Sequence, residues 1–422
     1  MKLNDTLLSQ MDNEFDALVE FAKKSRTEYG FTTMDANGDA DEAAGLQLWI
    51  NCRMTHIFCL ATLRGDETAR EYATHGISSL LTHFQDHENG GFFNAISLST
   101  AQPLGDNGAR KLSYAHAFVL LAASSGLQVG IDGAQELYDR AREIHEKYLW
   151  EPQFGLVRES WDREFTSTED YRGANANMHT LEASLAAWDA TTDPRWLEKA
   201  GSILTFVLGE AEKIGWRIPE HFDSQWNLIK DFNEDRPADP FRPFGLTPGH
   251  GIEWSRLALH FWAAVRHAQV DLAPELKDFV DSLPNLAYSL FTQALADGWN
   301  ADGEPGIVYT TDFEGEPIVH ERMHWTICEG IGAAAAFATY AEESGDQEQL
   351  DDMRQWFHTF IDFAREYLIE EPGKWIHELD RNNRPSGVTW PGKPDVYHAA
   401  QCMIMPQLPL TPTFAKALAQ KN

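Results

Sequence analysis

The chain has 422 residues, 43% of them hydrophobic, enough for a sizeable core built as one large barrel or as about three smaller domains. With 34 Lys+Arg against 65 Asp+Glu, its net charge of −31 repels phosphate backbones and anionic lipid head groups. Nucleic acid and membranes are therefore excluded as expected partners, and the acidity, which comes without any block of like charges, reads as a solvated surface.

The opening segment "MKLNDTLLSQMDNEFD" has no apolar run after its lysine, and no later stretch is long enough to span a bilayer, so a cytoplasmic protein is expected. Apolar residues then recur at three- and four-residue intervals in twelve segments: 5–24, 42–63, 67–84, 111–127, 134–149, 175–191, 194–210, 249–268, 273–295, 325–343, 347–368 and 395–405. This is the pattern of an all-α chain. Between helices come short turns with an aspartate placed to cap the next one, in "GDETAREY", "IDGAQELY", "TDPRWLEK", "VDLAPELK" and "GDQEQLDD". These positions, Asp66, Asp132, Asp193, Asp271 and Asp346, lie 61 to 78 residues apart and mark a helical hairpin repeated five times. The first and last helices are free to pair as a sixth hairpin, closing a ring instead of leaving an open solenoid. Short β-like pieces, "GGFFNA", "FGLVRESWD", "GWRIPEHFD", "GIVYTTDFEG" and "KWIHELDRNN", separate the hairpins and would gather at one mouth of the ring. No Pro/Ser-rich linker interrupts the repeat, so residues 1–422 are read as a single domain. The four cysteines, Cys52, Cys59, Cys328 and Cys402, lack CxxC spacing and are expected to be buried thiols.

A ring of hairpins should carry one functional residue near the start of each inner helix. Such a series exists: Arg53, His116, His179, His250, Glu329 and His398, separated by 63 to 79 residues. A single histidine on an apolar face is more often a satisfied core residue, but four in register point to proton transfer, because imidazole exchanges protons near neutral pH. In "TPGHGIEWSRL", Thr247 and Pro248 are expected to cap and open a helix. Glu253, three residues after His250, shares its face and is expected to orient it. A metal site built on such a Glu/His pair is the sharpest rival, but Arg53, Arg242, Arg256 and Arg322 sit among the same motifs and oppose a cation. Glycoside hydrolysis is a second rival, with Glu182, Glu220, Glu253, Glu329 and Asp395 as its carboxylates. A non-catalytic helical scaffold is the third. Trp49, Trp161, Trp226, Trp254, Trp325 and Trp390 fall near the motifs, and some are expected to stack on sugar faces.

Taken together, "LWINCRMTH", "SWDREFTSTEDYRGANANMH", "EHFDSQWN", "FRPFGLTPGHGIEWSRL", "GIVYTTDFEGEPIVHERMHW" and "DVYHAAQCMIMP" resemble the N-acylglucosamine 2-epimerase superfamily, nearest to its aldose–ketose isomerase branch of D-mannose and sulfoquinovose isomerases. The resemblance runs from about residue 5 to about residue 410. It implies an (α/α)6 barrel acting on a monosaccharide without metal or nucleotide cofactor, and leaves open whether the protein is a homo-oligomer. By motif, it places the catalytic histidines at His179, His250 and His398, and substrate contacts at Arg53, Trp49, Asn177, Arg242, Glu253 and Glu329, with His116 as a further counterpart. The implied reaction opens an aldose ring and moves the C2 proton to C1 through a cis-enediolate, with His398 as base at C2 and C1, His250, held by Glu253, as proton donor and acceptor at the sugar oxygens or the opposite face, and His179 as a ring-opening or oxygen-binding partner. Arg53 and Arg242 would stabilise the oxyanion. Sulfonate-binding members carry glutamines near two of these motifs where this chain has Pro394 and His377. That departure favours a neutral hexose, D-mannose to D-fructose, or the related D-lyxose, with a sulfoquinovose isomerase or a 2-epimerase as the alternative.

Overall fold

A computed structural model describes residues 3–41, 44–268 and 274–421. Fourteen helices follow in chain order: α1 (Asp5–Lys23), α2 (Leu48–Leu63), α3 (Ala69–Ser79), α4 (Gly105–Ala109), α5 (Ser113–Val129), α6 (Ala134–Ile144), α7 (Ala174–Thr191), α8 (Pro194–Lys213), α9 (Pro248–Ala268), α10 (Pro274–Gly298), α11 (His324–Ser344), α12 (Gln347–Phe363), α13 (Tyr397–Ile404) and α14 (Phe414–Ala419). Twelve of them are the expected ones. The short α4 and α14 carry too few turns to show a period. α3, α6 and α12 each run on into one wider π-helical turn, at Leu80–Phe84, His145–Leu149 and Ala364–Leu368.

α2, α5, α7, α9, α11 and α13 each pack on the next, and α13 returns to α2, so the inner ring closes. The hairpin partners α3, α6, α8, α10 and α12 lie outside, and α1 packs on α13 as the expected sixth pair. Position in the ring explains composition. An inner helix is enclosed on both sides, and in α2 only Trp49 and Leu63 escape full burial. An outer helix buries one stripe, as α6 does with Leu137, Tyr138, Ala141 and Ile144. This is an (α/α)6 barrel.

The β pieces follow one rule. Residues just before an inner helix pair antiparallel with the loop that follows its outer partner: Leu46–Gln47 with Ala95–Ile96, Lys111–Leu112 with Ser160–Trp161, Tyr171–Gly173 with His221–Asp223, and Arg322–Met323 with Glu378–Leu379. Single bridges, Leu246 to Thr311 and Met34 to Lys393, complete the set for α9 and α13. All six inner helices thus start at one mouth. The extended Leu46–Gln47 also explains why α2 begins at Leu48 rather than near residue 42.

Of the five capping expectations, three hold, one does not and one falls outside the described residues. Asp66 accepts from the Thr68 and Ala69 amides, Asp193 from Arg195 and Asp346 from Gln349. At Asp132 the boundary is instead Gly133, whose φ of 84° suits a residue without Cβ, and Asp271 lies outside the described residues. Pro248 does open α9, but the Thr247 hydroxyl is unpaired; its carbonyl takes the amides of His250 and Gly251. At the opposite end of the ring α14 lies on α2, α5 and α7, pinned by Asp189, which accepts from the amide and hydroxyl of Thr413. All four cysteines are buried free thiols. Among the described residues, no helix is long and apolar enough to cross a membrane.

Candidate active site

The mouth leads into a cavity of about 620 Å³, including its open entrance, lined by residues from all six inner helices or the loops before them. Three of the histidines named by motif line it. Each is held at Nδ1 by a buried glutamate: His179 by Glu182 at 3.1 Å, His250 by Glu220 at 2.8 Å and His398 by Glu329 at 2.9 Å. A carboxylate only accepts, so Nδ1 is the protonated nitrogen and Nε2 is left as the acceptor. The carboxylates are themselves held. Glu182 also accepts the Tyr397 hydroxyl, and Glu329 accepts Arg256 Nε at 2.8 Å, with Nη2 in ion-pair contact at 2.8 Å. Those partners keep Glu182 and Glu329 below the ordinary carboxyl range despite their burial. Burial dominates for His179, which is pushed down to about 4 and is neutral at pH 7.

Glu253 does not orient His250. Its side chain lines the cavity, 3.9 Å from Arg256, with Oε1 unpaired. Burial first, then the nearby Glu329, hold its carboxyl well above the usual range. That shift favours the protonated, donor form of the carboxyl at the cavity wall. The local reason is helix geometry: His250 sits on the first turn and reaches outward to Glu220 on the preceding loop, while Glu253, one turn deeper, faces the axis.

Arg53 is caged. Its guanidinium lies 4.4 to 5.9 Å from the ring centroids of Trp49, Tyr114, Phe118 and Tyr397, donates to the Tyr114 hydroxyl at 3.0 Å and pairs with Asp395 at 3.3 Å. It is a fixed positive charge at the cavity wall. Trp325 is in contact with two of the histidines, its ring 5.1 Å from His250 and 6.0 Å from His398.

Other expected contacts sit elsewhere. Asn177 is wholly buried and spends its amide on the backbone of Val157 and Gly173, while Asn175, two residues earlier, lines the cavity with Oδ1 unpaired. His116 is a core residue: Nδ1 donates to the Leu112 carbonyl and Nε2 accepts the Phe92 amide. Glu329 stands behind His398 rather than in the cavity, and Arg242 lies outside it, paired with Glu169 and Glu159. Trp49, Trp325 and Trp390 line the cavity, whereas Trp161, Trp226 and Trp254 pack away from it. Tyr114, Phe241, Tyr309, His324 and His377 line it without having been anticipated as contacts. Glu182 and Glu220 were weighed only as glycosidase carboxylates. The Glu182 partnership was visible as the same three-residue spacing as His250 to Glu253, whereas Glu220, 30 residues from His250, gave no local signal.

Among the described residues, His179, Glu182 and Glu253 bring ligand atoms within 4.8 Å of one another. They fit a cation poorly. His179 Nδ1 is already bonded to Glu182, and Arg256 supplies positive charge to both glutamates and Arg53 to Glu253.

Residues 30–402 match the family model described as N-acylglucosamine 2-epimerase (GlcNAc 2-epimerase). The chain is 42% identical to a D-mannose isomerase of Thermobifida fusca over 413 residues, 97% of this chain and 96% of that protein. It is 41% identical to a D-mannose isomerase of Pseudomonas cannabina pv. alisalensis over 405 residues, 95% and 93% of the two. A crystal structure of D-mannose isomerase superposes with a TM-score of 0.82 over 94% of this chain and 97% of that one, at 22% identity, which bears on the fold alone. Closed ring, glutamate-held histidines and full-length similarity agree: the chain belongs to the N-acylglucosamine 2-epimerase family and is a sugar-isomerising enzyme.

Proposed function

We propose that the protein interconverts D-mannose and D-fructose, and also D-lyxose and D-xylulose, as one catalytic domain over residues 1–422. The observation that carries this reading is the pair His250 and His398, two carboxylate-held imidazoles that both touch Trp325 in one cavity. Similarity of 42% to a D-mannose isomerase over nearly the whole chain supports the choice of sugar.

The steps follow from the free nitrogens. His179, neutral and accepting at Nε2, takes the anomeric hydroxyl proton and returns it to the ring oxygen as the C1–O5 bond breaks and the aldehyde forms. His398 Nε2 removes the C2 proton and returns it to C1 on the same face of the cis-enediolate. His250 exchanges the proton between O1 and O2. Charge on the enediolate is met by Arg53 and by the neutral carboxyl of Glu253, which donates without bringing negative charge of its own. Arg242 acts from outside the cavity. A neutral sugar is also supported by His377, pushed down to about 4 by burial, and by His324, lowered well below its ordinary value, since neither supplies positive charge for a sulfonate. The buried free thiols favour a reducing compartment such as the cytoplasm.

Purified protein should convert D-mannose chiefly to D-fructose, with or without chelator. D-glucose as the main product makes it an epimerase, activity restored only by a divalent ion makes it a metalloenzyme, and absence of turnover overturns the proposal.

A further inference from the structure

Of the residues lining the cavity, only Pro240 and Phe241 are exposed. Phe241 is 46% exposed, one of three large hydrophobic side chains so placed among the described residues. Its ring stands edge-on to Trp390 at 5.0 Å, Tyr114 at 6.0 Å and Trp49 at 6.1 Å, closing the outer side of the mouth. Burial does not hold it there, so the loop must.

That loop is tied from several directions. Asp239 Oδ1 accepts the amides of Phe241 and Arg242, the Tyr309 hydroxyl donates to the Pro240 carbonyl, and His221 Nε2 donates to that of Pro243. The strongest tie is Arg242. Its guanidinium pairs with Glu169 at 2.9 Å and Glu159 at 3.3 Å on the neighbouring hairpin's loop, and lies over Tyr171 at 4.0 Å. Burial keeps Tyr171 and Glu159 away from water around it, and Pro237, Pro240 and Pro243 limit the freedom of the turn. An arginine expected at the sugar instead anchors the aromatic residue next to it.

We propose that Phe241 sets the reach of the cavity and confines it to a single sugar ring, and that Arg242 is its positioning residue. The inference rests on the reading of the site as a sugar isomerase. His179, Glu253 and His398 form the buried end, so C1 and C2 of a substrate lie deep and its C4 end points to the mouth. A sugar linked at O4 would then run into Phe241 and Trp390.

The test compares D-mannose with 4-O-β-D-mannopyranosyl-D-mannose, by kcat/KM and, independently of turnover, by quenching of tryptophan fluorescence on binding. Trp49 and Trp390 at the mouth report it. Phe241→Ala should raise the disaccharide-to-monosaccharide ratio by about 10-fold or more, chiefly through a lower KM for the disaccharide, while the KM for D-mannose rises a few-fold. Arg242→Ala should shift the ratio the same way by about 3-fold, Arg242→Lys should restore the wild-type ratio, and the double variant should not exceed Phe241→Ala. Thermal unfolding midpoints check that each variant is folded. An unchanged or lower ratio in folded Phe241→Ala overturns the proposal, as a lower one makes the ring a platform rather than a barrier. Parallel loss on both sugars in Arg242→Ala overturns the role of Arg242. If wild type binds both sugars without isomerising D-mannose, the functional reading fails, and the binding ratio alone decides this one.

Discussion

His250 and its two acidic neighbours show how a short-range rule can name the right residue types and the wrong partners. Glu253 shares a helix face with His250, yet the carboxylate on Nδ1 is Glu220, which arrives from the end of the loop after α8, next to the strand His221–Asp223. The same three-residue rule is correct at His179 and Glu182, because His179 lies deep enough on α7 for both side chains to face the axis. Single residues at regular spacing were thus legible, and partners brought by tertiary structure were not. Asn177 and His116 illustrate the same limit: their buried polar atoms are satisfied by loop backbone that folds back over the helix start. Glu220→Gln offers His250 Nδ1 a weaker, uncharged acceptor and should lower kcat by roughly 10²-fold or more with little change in KM. Glu253→Gln keeps a donor at the cavity and should cost less. Steady-state kinetics on D-mannose check the order, and a larger loss from Glu253→Gln would return the orienting role to Glu253.

At the scale of elements, α9 carries the clearest local logic. Gly249 and Gly251 flank His250, and a Cβ on Gly249 would come within 2.6 Å of Thr326 and 2.7 Å of Trp325. On Gly251 it would meet Ala294 of α10 at 2.9 Å. Glycine is required by close approach, and the approach seats Trp325 against His250. Gly249→Ala should therefore destabilise the protein by about 1–3 kcal/mol through overpacking and also reduce kcat/KM by displacing Trp325. Chemical denaturation together with kinetics would show whether the two losses occur together; a stable variant with unaltered kinetics contradicts the packing account. Helix positions were legible because each outer helix repeats one buried stripe and each inner helix is apolar nearly throughout. The strand pairs were visible as Gly- and aromatic-rich pieces, but not their partners, since pairing joins segments a whole hairpin apart.

For the whole molecule, closure of the ring has an electrostatic consequence. His56, His116, His179, His260 and His377 are all held down to about 4 by burial from an ordinary 6.5. Between those values the unfolded chain binds protons that the folded one refuses, so stability is full above about pH 6.5 and falls as pH drops toward 4. Glu253, like Asp16, Glu159 and Asp189, has the opposite sign, its raised value contributing stability at low pH that is lost as pH rises through it, but these four stand against nine histidines, since His75, His145, His221 and His324 are lowered as well. Unfolding midpoints measured from pH 8 to pH 4.5 should decline steadily below about 6.5, and a flat profile would mean that these histidines are not buried as neutral groups. The twelve-helix ring was readable from the hairpin repeat, whereas the C-terminal α14 was not, because its role is to lie across the end of the ring opposite the mouth rather than to extend the repeat.

The central claim is that imidazoles in one cavity move a proton from C2 to C1 of an aldose. Its most direct test is NMR of the products of D-mannose and enzyme in deuterated water, run with wild type and with His398→Ala. Wild type should give D-fructose carrying deuterium at C1, and His398→Ala should lose this conversion by several orders of magnitude while keeping the wild-type circular dichroism. Deuterium found mainly at C2 of an aldose product, or near-normal turnover by His398→Ala, would contradict the account.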